Sequence, residues 1–344
     1  MIMDVQVLKD TAQRMVADNK GLLAIDESTP TCDKRFAASG IPQTIENRRA
    51  YRELIITTPG LNEFISGLIL YDETIRQQDR DGTPFIKIIR DEGIIPGIKV
   101  DTGTRDLPGY TGEKITQGLE GLRGRLIGYR GMGARFAKWR AVIAMGIGIP
   151  SKPCIDANAQ ALARYALLCQ EAGLVPMVEA EVLMGGKHSL DQCRVTTTAV
   201  LHAVFEQLYT QGVLLEGMIL KPNMVTSGLT CPRQATTNEV ADATVECLLR
   251  VVPAAVPGIA FLSGGQSGEQ ASARLNAMHV RFAGQLPWSL TFSFARAIQQ
   301  PALKIWHGEQ ANVPAAQQAL YHRARCNHTA CMGLYVPEME WATV

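Results

Sequence analysis

The sequence lacks the short motifs that mark common metal sites and disulfide frameworks. Its eight cysteines form no Cys-x-x-Cys pair, and its six histidines form neither His-x-x-x-His nor His-Glu-x-x-His. In a chain of 344 residues we expect these cysteines to be reduced and mostly buried thiols. No metal site is therefore predicted from neighbouring residues, although ligands that are distant in sequence can still converge.

Charge of one sign and long apolar runs are lacking as well. The formal net charge is +1, and the basic residues are spread along the chain, which argues against a surface for nucleic acid or an anionic membrane. No stretch approaches the ~18 apolar residues of a transmembrane span, and the N-terminal segment has no apolar signal core. We therefore expect a cytoplasmic protein without nucleic-acid or membrane partners.

Two nucleotide-binding motifs are also absent. The chain has no P-loop ending in Gly-Lys-Ser/Thr, and no Gly-x-Gly-x-x-Gly follows an apolar run.

What is present is an ordinary globular composition, with 46% hydrophobic and 19% charged residues. A chain of this length can bury a sizeable core.

Eight short apolar runs recur along the chain. Continuous apolar runs are typical of parallel strands covered on both faces. Segments with helical spacing lie between them, as in residues 156–173, 237–252 and 267–279. The eight runs are residues 21–26, 65–73, 94–101, 134–140, 174–181, 216–223, 258–265 and 286–296.

Strands that alternate with helices predict βα units, and eight strands close a (β/α)8 TIM barrel. No low-complexity linker interrupts the series, so we expect one α/β domain over residues 1–344. A C-terminal extension begins at about residue 310, and residues 335–344 are expected to form a mobile tail. An N-terminal helix is predicted before the first strand, with an apolar stripe of Val5, Leu8, Ala12, Met15 and Val16.

Polar residues stand at the C-terminal ends of the predicted strands, where barrel enzymes assemble their active sites. Period-two alternation places Lys138 with Arg140, and Glu179 with Glu181, on one face of each strand. A structural ion-pair cluster is the alternative, but the recurrence from strand to strand favours a site. The strand-end residues are Asp26, Lys99, Lys138, Glu179, Lys221, Ser263 and Arg296.

Lys221 ends one of the apolar runs, and its setting suggests a nucleophile. An ordinary lysine has a pKa of about 10.4 and is neutral in only about one molecule in 2,500 at pH 7. Neighbouring cations and desolvation lower that pKa. A lysine among other lysines, beside a carboxylate that can move protons, is suited to forming a Schiff base with a carbonyl substrate.

Anion binding is a second theme. Ser263, Gly264 and Gly265 follow a predicted strand and precede a helical segment, where backbone N–H groups can bind an anion. Such loops are also common as plain turns, but Arg296 at the next strand supplies a cation. The loops after the seventh and eighth strands are the usual phosphate position in TIM barrels.

From about residue 10 to residue 330 the chain resembles the class I fructose-bisphosphate aldolases. The resemblance implies reversible cleavage of fructose 1,6-bisphosphate to dihydroxyacetone phosphate and glyceraldehyde 3-phosphate, in glycolysis and gluconeogenesis, through a lysine Schiff base. It implies no cofactor and no metal, because the iminium is the electron sink, and a homo-oligomer, commonly a tetramer. The motifs that carry it are LAIDES (23–28), ENRRAYRELI (46–55), GIKVD (97–101), FAKWR (136–140), ANAQALARYA (157–166), VPMVEAE (175–181), LEGMILKPNMV (215–225), FLSGGQS (261–267) and LTFSFAR (290–296).

The resemblance implies a role for each catalytic residue. Lys221 would form the Schiff base with the C2 ketone, and Glu179 would be the acid/base for dehydration of the carbinolamine. Glu181 would tune the lysine beside it, and Asp26 would orient or deprotonate the C4 hydroxyl. Lys138 would place a positive charge next to the iminium and lower the pKa of Lys221.

The resemblance also implies two phosphate sites. The C1 phosphate would be held by Ser263, Gly264 and Arg296, with help from the backbone at Ala295. The C6 phosphate would be reached by Lys99, Ser28, Thr31, Arg35 and Arg140.

Some of these residues have structural alternatives. Asp26 suits a helix N-cap, as do Ser28 and Thr31. Arg140 can simply pair with Glu181. The aromatic residues of the FAKWR motif, Phe136 and Trp139, are expected to be core residues rather than substrate contacts.

The chain also departs from the family pattern. Pro30 stands where glycine is common, Thr31 where serine is common, and Ala295 where glycine is usual, while Ala180 replaces a proline. Many family members end in a tyrosine that assists proton exchange at C3 of the enamine, whereas this sequence ends in WATV. Tyr335 is not assigned that role, so slower turnover or another proton carrier is the hypothesis.

Two functional alternatives remain open. The first is a Schiff-base aldolase that prefers another ketose phosphate, such as fructose 1-phosphate or sedoheptulose 1,7-bisphosphate. The second is a non-catalytic scaffold barrel, which predicts that a catalytic group is missing.

Overall fold

The computed structural model describes residues 4–341, and its centre is a closed barrel of eight parallel strands. The barrel order is β1, β2, β3, β6, β7, β8, β9 and β10, and β10 pairs with β1 to close it. A separate antiparallel hairpin is formed by β4 and β5. The strands are β1 Gly21–Ala24, β2 Ile65–Leu70, β3 Ile95–Lys99, β4 Thr104–Asp106, β5 Lys114–Thr116, β6 Phe136–Ile143, β7 Val175–Val182, β8 Ile219–Pro222, β9 Gly258–Phe261 and β10 Ser289–Phe294.

The predicted (β/α)8 barrel is confirmed, and each of the eight apolar runs overlaps a barrel strand, although β6 and β7 extend beyond their runs to Ile143 and Val182. Every residue of β2, β7, β8 and β9 is buried, because the barrel interior covers one face and helices cover the other. The hairpin of β4 and β5 was not predicted, because its two strands are only three residues long and only Thr116 among their residues is buried.

Helices form the outer layer and connect the strands. The helix predicted over 156–173 begins earlier, at Lys152, because the Ser151 side chain accepts a hydrogen bond from Cys154 N and caps it. The helices are α1 Val5–Met15, α2 Thr29–Ala38, α3 Ile45–Ile56, α4 Asp72–Ile75, α5 Phe85–Asp91, α6 Leu122–Met132, α7 Lys152–Glu171, α8 Leu190–Thr210, α9 Thr237–Val251, α10 Gly268–Arg281, α11 Arg296–Trp306 and α12 Val313–Cys331. Short 3-10 turns lie at Leu61–Glu63, Leu215–Gly217, Gln310–Asn312 and Pro337–Trp341. Over residues 4–341, none of these helices is both long and apolar enough for a membrane span.

The N-terminal helix closes one end of the barrel. Its Leu8, Ala12 and Met15 are buried in the same cluster as inward-facing barrel residues such as Phe136. The carbonyl of Met15 accepts a hydrogen bond from Ser66 near the start of β2. One predicted member of the stripe is wrong, because Val5 is 38% exposed at the first turn of the helix.

The inside of the barrel is filled below its C-terminal mouth. The ring of Phe136 lies where a Cβ on Gly97 would approach it to 2.2 Å, so glycine at that position makes room for the ring. Trp139 and Phe136 are both fully buried, which confirms that they are core residues. The charged side chains of the predicted site lie beyond this apolar filling, at the C-terminal mouth of the barrel.

The C-terminal part of the chain belongs to the helical layer. Helix α12 packs against α10, α11 and α3. Beyond it, Tyr335 is buried, and its hydroxyl donates a hydrogen bond to Glu340, which also pairs with Arg323. The mobile tail expected over 335–344 stays a prediction, and its last three residues, 342–344, lie outside the described part of the chain.

Candidate active site

Strand register brings the predicted site residues to one level of the barrel. Arg140 on β6 pairs with Glu179 on β7, and Glu179 pairs with Lys221 on β8. Lys138 is the third residue of β6 rather than its last, because β6 and β7 stay paired through Ile143 and Val182. It nevertheless reaches the mouth, because its neighbour β3 ends at the paired residue Lys99.

The centre of the site is a buried cluster of two lysines and two carboxylates. Lys138 Nζ lies 2.6 Å from Asp26 Oδ2 and 3.1 Å from Glu179 Oε2. Lys221 Nζ lies 3.3 Å from Glu179 Oε1. All four side chains are less than 10% exposed. Glu179 therefore bridges the two ammonium groups, and Lys138 links it to Asp26.

The two lysines of this cluster are shifted in opposite directions. Burial lowers the pKa of Lys221, and the positive charge of Lys138 lowers it further, against the opposing effects of Glu179 and Asp26. Burial also disfavours the charged form of Lys138, but Asp26 and Glu179 outweigh it and raise the pKa of that lysine. Lys221 is thus the lysine that can supply a neutral amine, while Lys138 stays charged.

The carboxylates of the cluster are held ionised. Burial by itself would raise the pKa of Asp26, but Lys138 and Lys221 lower it well below its usual value. Glu179 likewise has a lowered pKa, because the two lysines outweigh its burial. The alternative of Asp26 as a helix cap is wrong, since the N-cap of α2 is Ser28 and the Asp26 carboxylate pairs with Lys138.

Arg140 and Glu181 form a second pair at the same mouth. Arg140 Nε donates to Glu181 Oε2 at 2.5 Å, so the expected ion pair is present. Burial disfavours the charged form of Arg140, but Glu181 and Glu179 together raise its pKa. Among the described residues, Glu181 therefore pairs with Arg140, whereas the carboxylate that pairs with the Lys221 amine is Glu179.

The proposed phosphate loop lies beside the predicted arginine. Ser263 is buried two residues after the end of β9, and Gly264 and Gly265 follow it with φ of +57° and +96°. A Cβ on Gly265 would lie 3.7 Å from a terminal guanidinium nitrogen of Arg296, the first residue of α11. Arg296 is exposed to solvent. Glycines with positive φ turn backbone N–H groups toward one side, which suits a phosphate between this loop and the arginine.

Three of the residues expected to bind the second phosphate lie at the start of α2 or within it, namely Ser28, Thr31 and Arg35. The hydroxyls of Ser28 and Thr31 lie 3.1 Å apart, and Pro30 occupies a first-turn position where its fixed φ suits a helix. The side chain of Arg35 pairs with Glu27, and Lys99 Nζ lies 3.5 Å from Asp101. The structure therefore gathers these residues at the same end of the barrel, with two of the cations already paired to carboxylates.

Sequence reasoning missed the buried ion pairs behind Asp26. Glu27 pairs with Arg52 at 2.9 Å and also with Arg35, and it accepts a hydrogen bond from Gln299 at 2.9 Å. The signal was available, because adjacent residues of an extended chain point to opposite sides. If Asp26 points into the mouth, its neighbour must point outward to the helices that carry Arg52 and Gln299. Asp101, which accepts a hydrogen bond from the backbone of Arg140, was also missed.

We expect Arg52→Met to destabilise the fold strongly. Arg52 and Glu27 are both nearly inaccessible, and removing one partner of a buried pair leaves the other charge uncompensated, at about 3–5 kcal/mol. Urea unfolding followed by circular dichroism measures the change. The double variant Glu27→Gln/Arg52→Met should recover part of the loss. Lys152→Met, which breaks an exposed pair with Asp156, should cause no measurable change in the free energy of unfolding. If Arg52→Met and Lys152→Met lowered that free energy equally, the expectation would be contradicted.

The chain is similar to known proteins over nearly its whole length. A family model described as fructose-bisphosphate aldolase class-I matches residues 7–343. A probable fructose-bisphosphate aldolase class 1 from Xanthomonas campestris is 58% identical over 332 residues, covering 96% of this chain and 99% of the relative. Fructose-bisphosphate aldolase 6, cytosolic, from Arabidopsis thaliana is 51% identical over 316 residues, covering 92% and 88%.

A solved structure is similar over nearly the whole chain. It is the fructose-bisphosphate aldolase of Plasmodium falciparum, in complex with TRAP and a small-molecule inhibitor. Its TM-score is 0.94 at 48% sequence identity, and the similarity covers 96% of this chain and 95% of that one.

Proposed function

The chain belongs to the class-I fructose-bisphosphate aldolase family, and from that premise we propose which residues carry out its reaction. The protein is an aldehyde-lyase that cleaves fructose 1,6-bisphosphate reversibly to dihydroxyacetone phosphate and glyceraldehyde 3-phosphate in glycolysis. The scaffold alternative is therefore wrong. The assignment of roles rests on one observation, that Glu179 lies 3.3 Å from Lys221 and 3.1 Å from Lys138.

The first step is formation of the Schiff base on Lys221. Its neutral amine attacks the C2 carbonyl of the ketose, and the amine proton moves to the oxygen to give a carbinolamine. Loss of water then requires an acid, and Glu179 is within hydrogen-bonding distance of the nitrogen that forms the iminium. Because the pKa of Glu179 is lowered, Glu179 starts as a carboxylate and takes its proton from the ammonium form of Lys221, which frees the amine for the attack. It returns this proton to the departing hydroxyl, so that water leaves and the nitrogen keeps its last proton as the iminium.

The second step is cleavage of the C3–C4 bond. Asp26 accepts the proton of the C4 hydroxyl, the C4 oxygen forms the carbonyl of glyceraldehyde 3-phosphate, and the bonding electrons move into the iminium to give an enamine. Proton return to C3 and hydrolysis of the imine then release dihydroxyacetone phosphate and the free Lys221. Asp26 is held ionised for this task by the lysines around it.

Lys138 is proposed to hold the two carboxylates in place and to keep Lys221 neutral. Its ammonium group contacts Asp26 and Glu179 at once, so it fixes the distance between the base for C–C cleavage and the acid for dehydration. Its charge also lowers the pKa of Lys221. Arg140 contributes by pairing with Glu181, which keeps a further carboxylate away from the amine.

The two phosphates are proposed to bind at two separate places on the mouth, one after β9 and β10 and the other after β1. Ser263, the backbone of Gly264 and the guanidinium of Arg296 would hold the C1 phosphate, supported by their adjacency after β9 and β10. The C6 phosphate would bind at the first turn of α2, where the N-terminal end of the helix favours an anion. Its side-chain ligands would be Ser28, Thr31, Arg35, Lys99 and Arg140.

Borohydride trapping tests the mechanism directly. Incubation with dihydroxyacetone phosphate and borohydride should reduce the imine to a stable secondary amine, and peptide mapping by mass spectrometry should place the adduct on Lys221. An adduct on another lysine, or none, would contradict the assignment. Comparison of kcat/KM for fructose 1,6-bisphosphate, fructose 1-phosphate and sedoheptulose 1,7-bisphosphate ranks the substrates.

We expect Arg296→Ala to weaken phosphate binding. Loss of a hydrogen bond to a charged group costs about 1.5–3 kcal/mol, so kcat/KM for fructose 1,6-bisphosphate should fall roughly 10- to 150-fold, mainly through KM. Steady-state kinetics with a coupled assay measures it. Arg250→Ala on the exposed end of α9 is the matched control and should behave as wild type. If the two variants are indistinguishable, Arg296 does not bind the substrate.

Assembly and location are further proposals. A homotetramer is proposed from family membership, and sedimentation equilibrium of the full chain would test it. A cytosolic location is proposed by analogy with the Arabidopsis relative, which is named a cytosolic aldolase.

A further inference from the structure

We propose that His322, Cys326 and Glu340 form a binding site for Zn2+ that joins the last helix to the C-terminal turn. His322 and Cys326 lie four residues apart on α12, and Glu340 lies in the turn Pro337–Trp341. One ligand atom from each of the three residues lies within 4.8 Å of the others. The site is in the helical layer and shares no residue with the catalytic mouth.

The spacing of the two helical ligands fits a zinc ion. Residues four apart face the same side of a helix, one turn above the other. His322 Nε2 lies 3.6 Å from Cys326 Sγ. Zinc bonds of about 2.05 Å to nitrogen and about 2.3 Å to sulfur, set at a tetrahedral angle, separate those two atoms by about 3.6 Å. The observed distance therefore needs no change of the helix.

The chemistry of the three ligands selects the kind of metal. One imidazole, one thiol and one carboxylate form a borderline-soft set, whereas Mg2+ and Ca2+ prefer sites built only of oxygen. Three protein ligands leave a fourth tetrahedral position for water. Cys326 is fully buried, while His322 and Glu340 are partly exposed, so the open position faces the solvent side.

The carboxylate is held by two further groups. The Tyr335 hydroxyl donates to Glu340 Oε1 at 2.7 Å, and Arg323 pairs with Oε2. Hydrogen bonds of this kind orient ligating carboxylates around metals. Each oxygen has two lone pairs, so Glu340 can keep these partners and still bind the ion.

Binding exchanges a proton for the metal. The Cys326 thiol loses its proton to solvent as the Zn–S bond forms, His322 binds as neutral imidazole, and no electrons are transferred. Burial raises the pKa of Cys326 to about 11 and lowers the pKa of His322. The imidazole is therefore ready to bind, while the thiol makes affinity lower than that of an exposed cysteine.

The consequence of the site would be a fixed C-terminal turn. Without metal, the turn is attached to α12 through the contacts of Glu340 with Arg323 and Tyr335. A bound ion would connect Glu340 to α12 through its coordination bonds to His322 and Cys326. Chain ends are otherwise the first part of a domain to open.

Co2+ is the probe that tests the proposal, because a Co2+–thiolate bond gives a charge-transfer band in the near ultraviolet. The full chain, kept reduced, should bind one equivalent of Co2+ with this band, and Zn2+ should displace it. Cys326→Ser should abolish the band. Cys331→Ser, on the same helix and also buried, and Cys231→Ser, the partly exposed thiol, should retain it.

Partly exposed ligands provide a second arm if Cys326→Ser unfolds. His322→Gln and Glu340→Gln should each weaken Zn2+ binding at least about tenfold, measured by competition with a chromophoric chelator. Zn2+ should also slow digestion of the wild-type C-terminus by carboxypeptidase, but not that of Glu340→Gln. A band that persists in Cys326→Ser, a band that is lost in Cys231→Ser, or wild-type affinity in both glutamine variants would overturn the proposal.

Discussion

Lys221→Met is expected to reduce cleavage of fructose 1,6-bisphosphate by roughly 10⁴- to 10⁶-fold, since loss of a covalent nucleophile removes the whole catalytic route. Methionine has a similar length and no charge, so it fits a site that is already buried. The assay couples release of triose phosphate to oxidation of a nicotinamide cofactor by added enzymes. Borohydride and dihydroxyacetone phosphate should leave no adduct on this variant.

Two controls separate chemistry from folding in that experiment. Lys152→Met removes an exposed lysine whose only recorded ion pair, among the described residues, is with Asp156, and it should keep full activity and full trapping at Lys221. Fructose 1,6-bisphosphate should still bind to Lys221→Met, because the proposed phosphate ligands are intact. Residual turnover within tenfold of wild type would show that another group is the nucleophile.

Glu179→Gln is the second large effect that we expect, with kcat lower by roughly 10²- to 10⁴-fold, the usual contribution of a general acid/base. Glutamine can still accept a hydrogen bond from Lys221, but it cannot deliver a proton to the departing hydroxyl. The chemical defect should therefore lie in dehydration of the carbinolamine rather than in binding of the substrate. Single-turnover trapping with borohydride, sampled over time, should show slow accumulation of the reduced adduct.

The pH profile distinguishes proton transfer from a purely structural role of Glu179. The Glu179 carboxylate raises the pKa of Lys221, so its removal should lower that pKa further. The rate of borohydride trapping rises with pH as Lys221 loses its proton. In Glu179→Gln this rise should occur at lower pH, while the maximal rate of trapping falls. A variant that loses rate with no shift in this rise would argue that Glu179 only supports the local packing. Asp156→Asn, on the surface, is the matched neutralisation and should leave the profile unchanged.

The barrel could be predicted from the sequence because its strands are buried on both faces. Such strands appear as uninterrupted apolar runs, and all eight were found with their order intact. The hairpin of β4 and β5 was missed because short strands with only one buried residue between them show no such pattern. Val5 was placed on the buried stripe by its spacing alone, but the helix covers the barrel from Leu8 onward.

The candidate site was predicted in its membership but not in its connections. Period-two alternation put Lys138, Glu179 and Lys221 on inward faces, and the structure places both lysines in contact with Glu179. Which carboxylate meets which cation depends on how strands from distant parts of the chain line up. The structure shows that Glu27 pairs with Arg52 and Arg35 on the outer side of the barrel, and that Glu181 pairs with Arg140.

The proposed zinc site likewise depends on residues that only the tertiary structure brings together. His322 and Cys326 are separated by one helical turn, but neither belongs to a standard motif, and Glu340 joins them only because the chain doubles back after α12. A scan for closely spaced ligands passes over such a set.

The sequence by itself determined the fold class, the approximate position of each barrel strand and the residue types at the barrel mouth. These features follow from local periodicity and burial, which are written into neighbouring residues. Only the tertiary structure decided that Lys221 loses basicity while Lys138 gains it. Both lysines are buried, but Lys138 contacts two carboxylates and Lys221 one, and Coulomb energies in a desolvated site depend on these distances of a few ångströms.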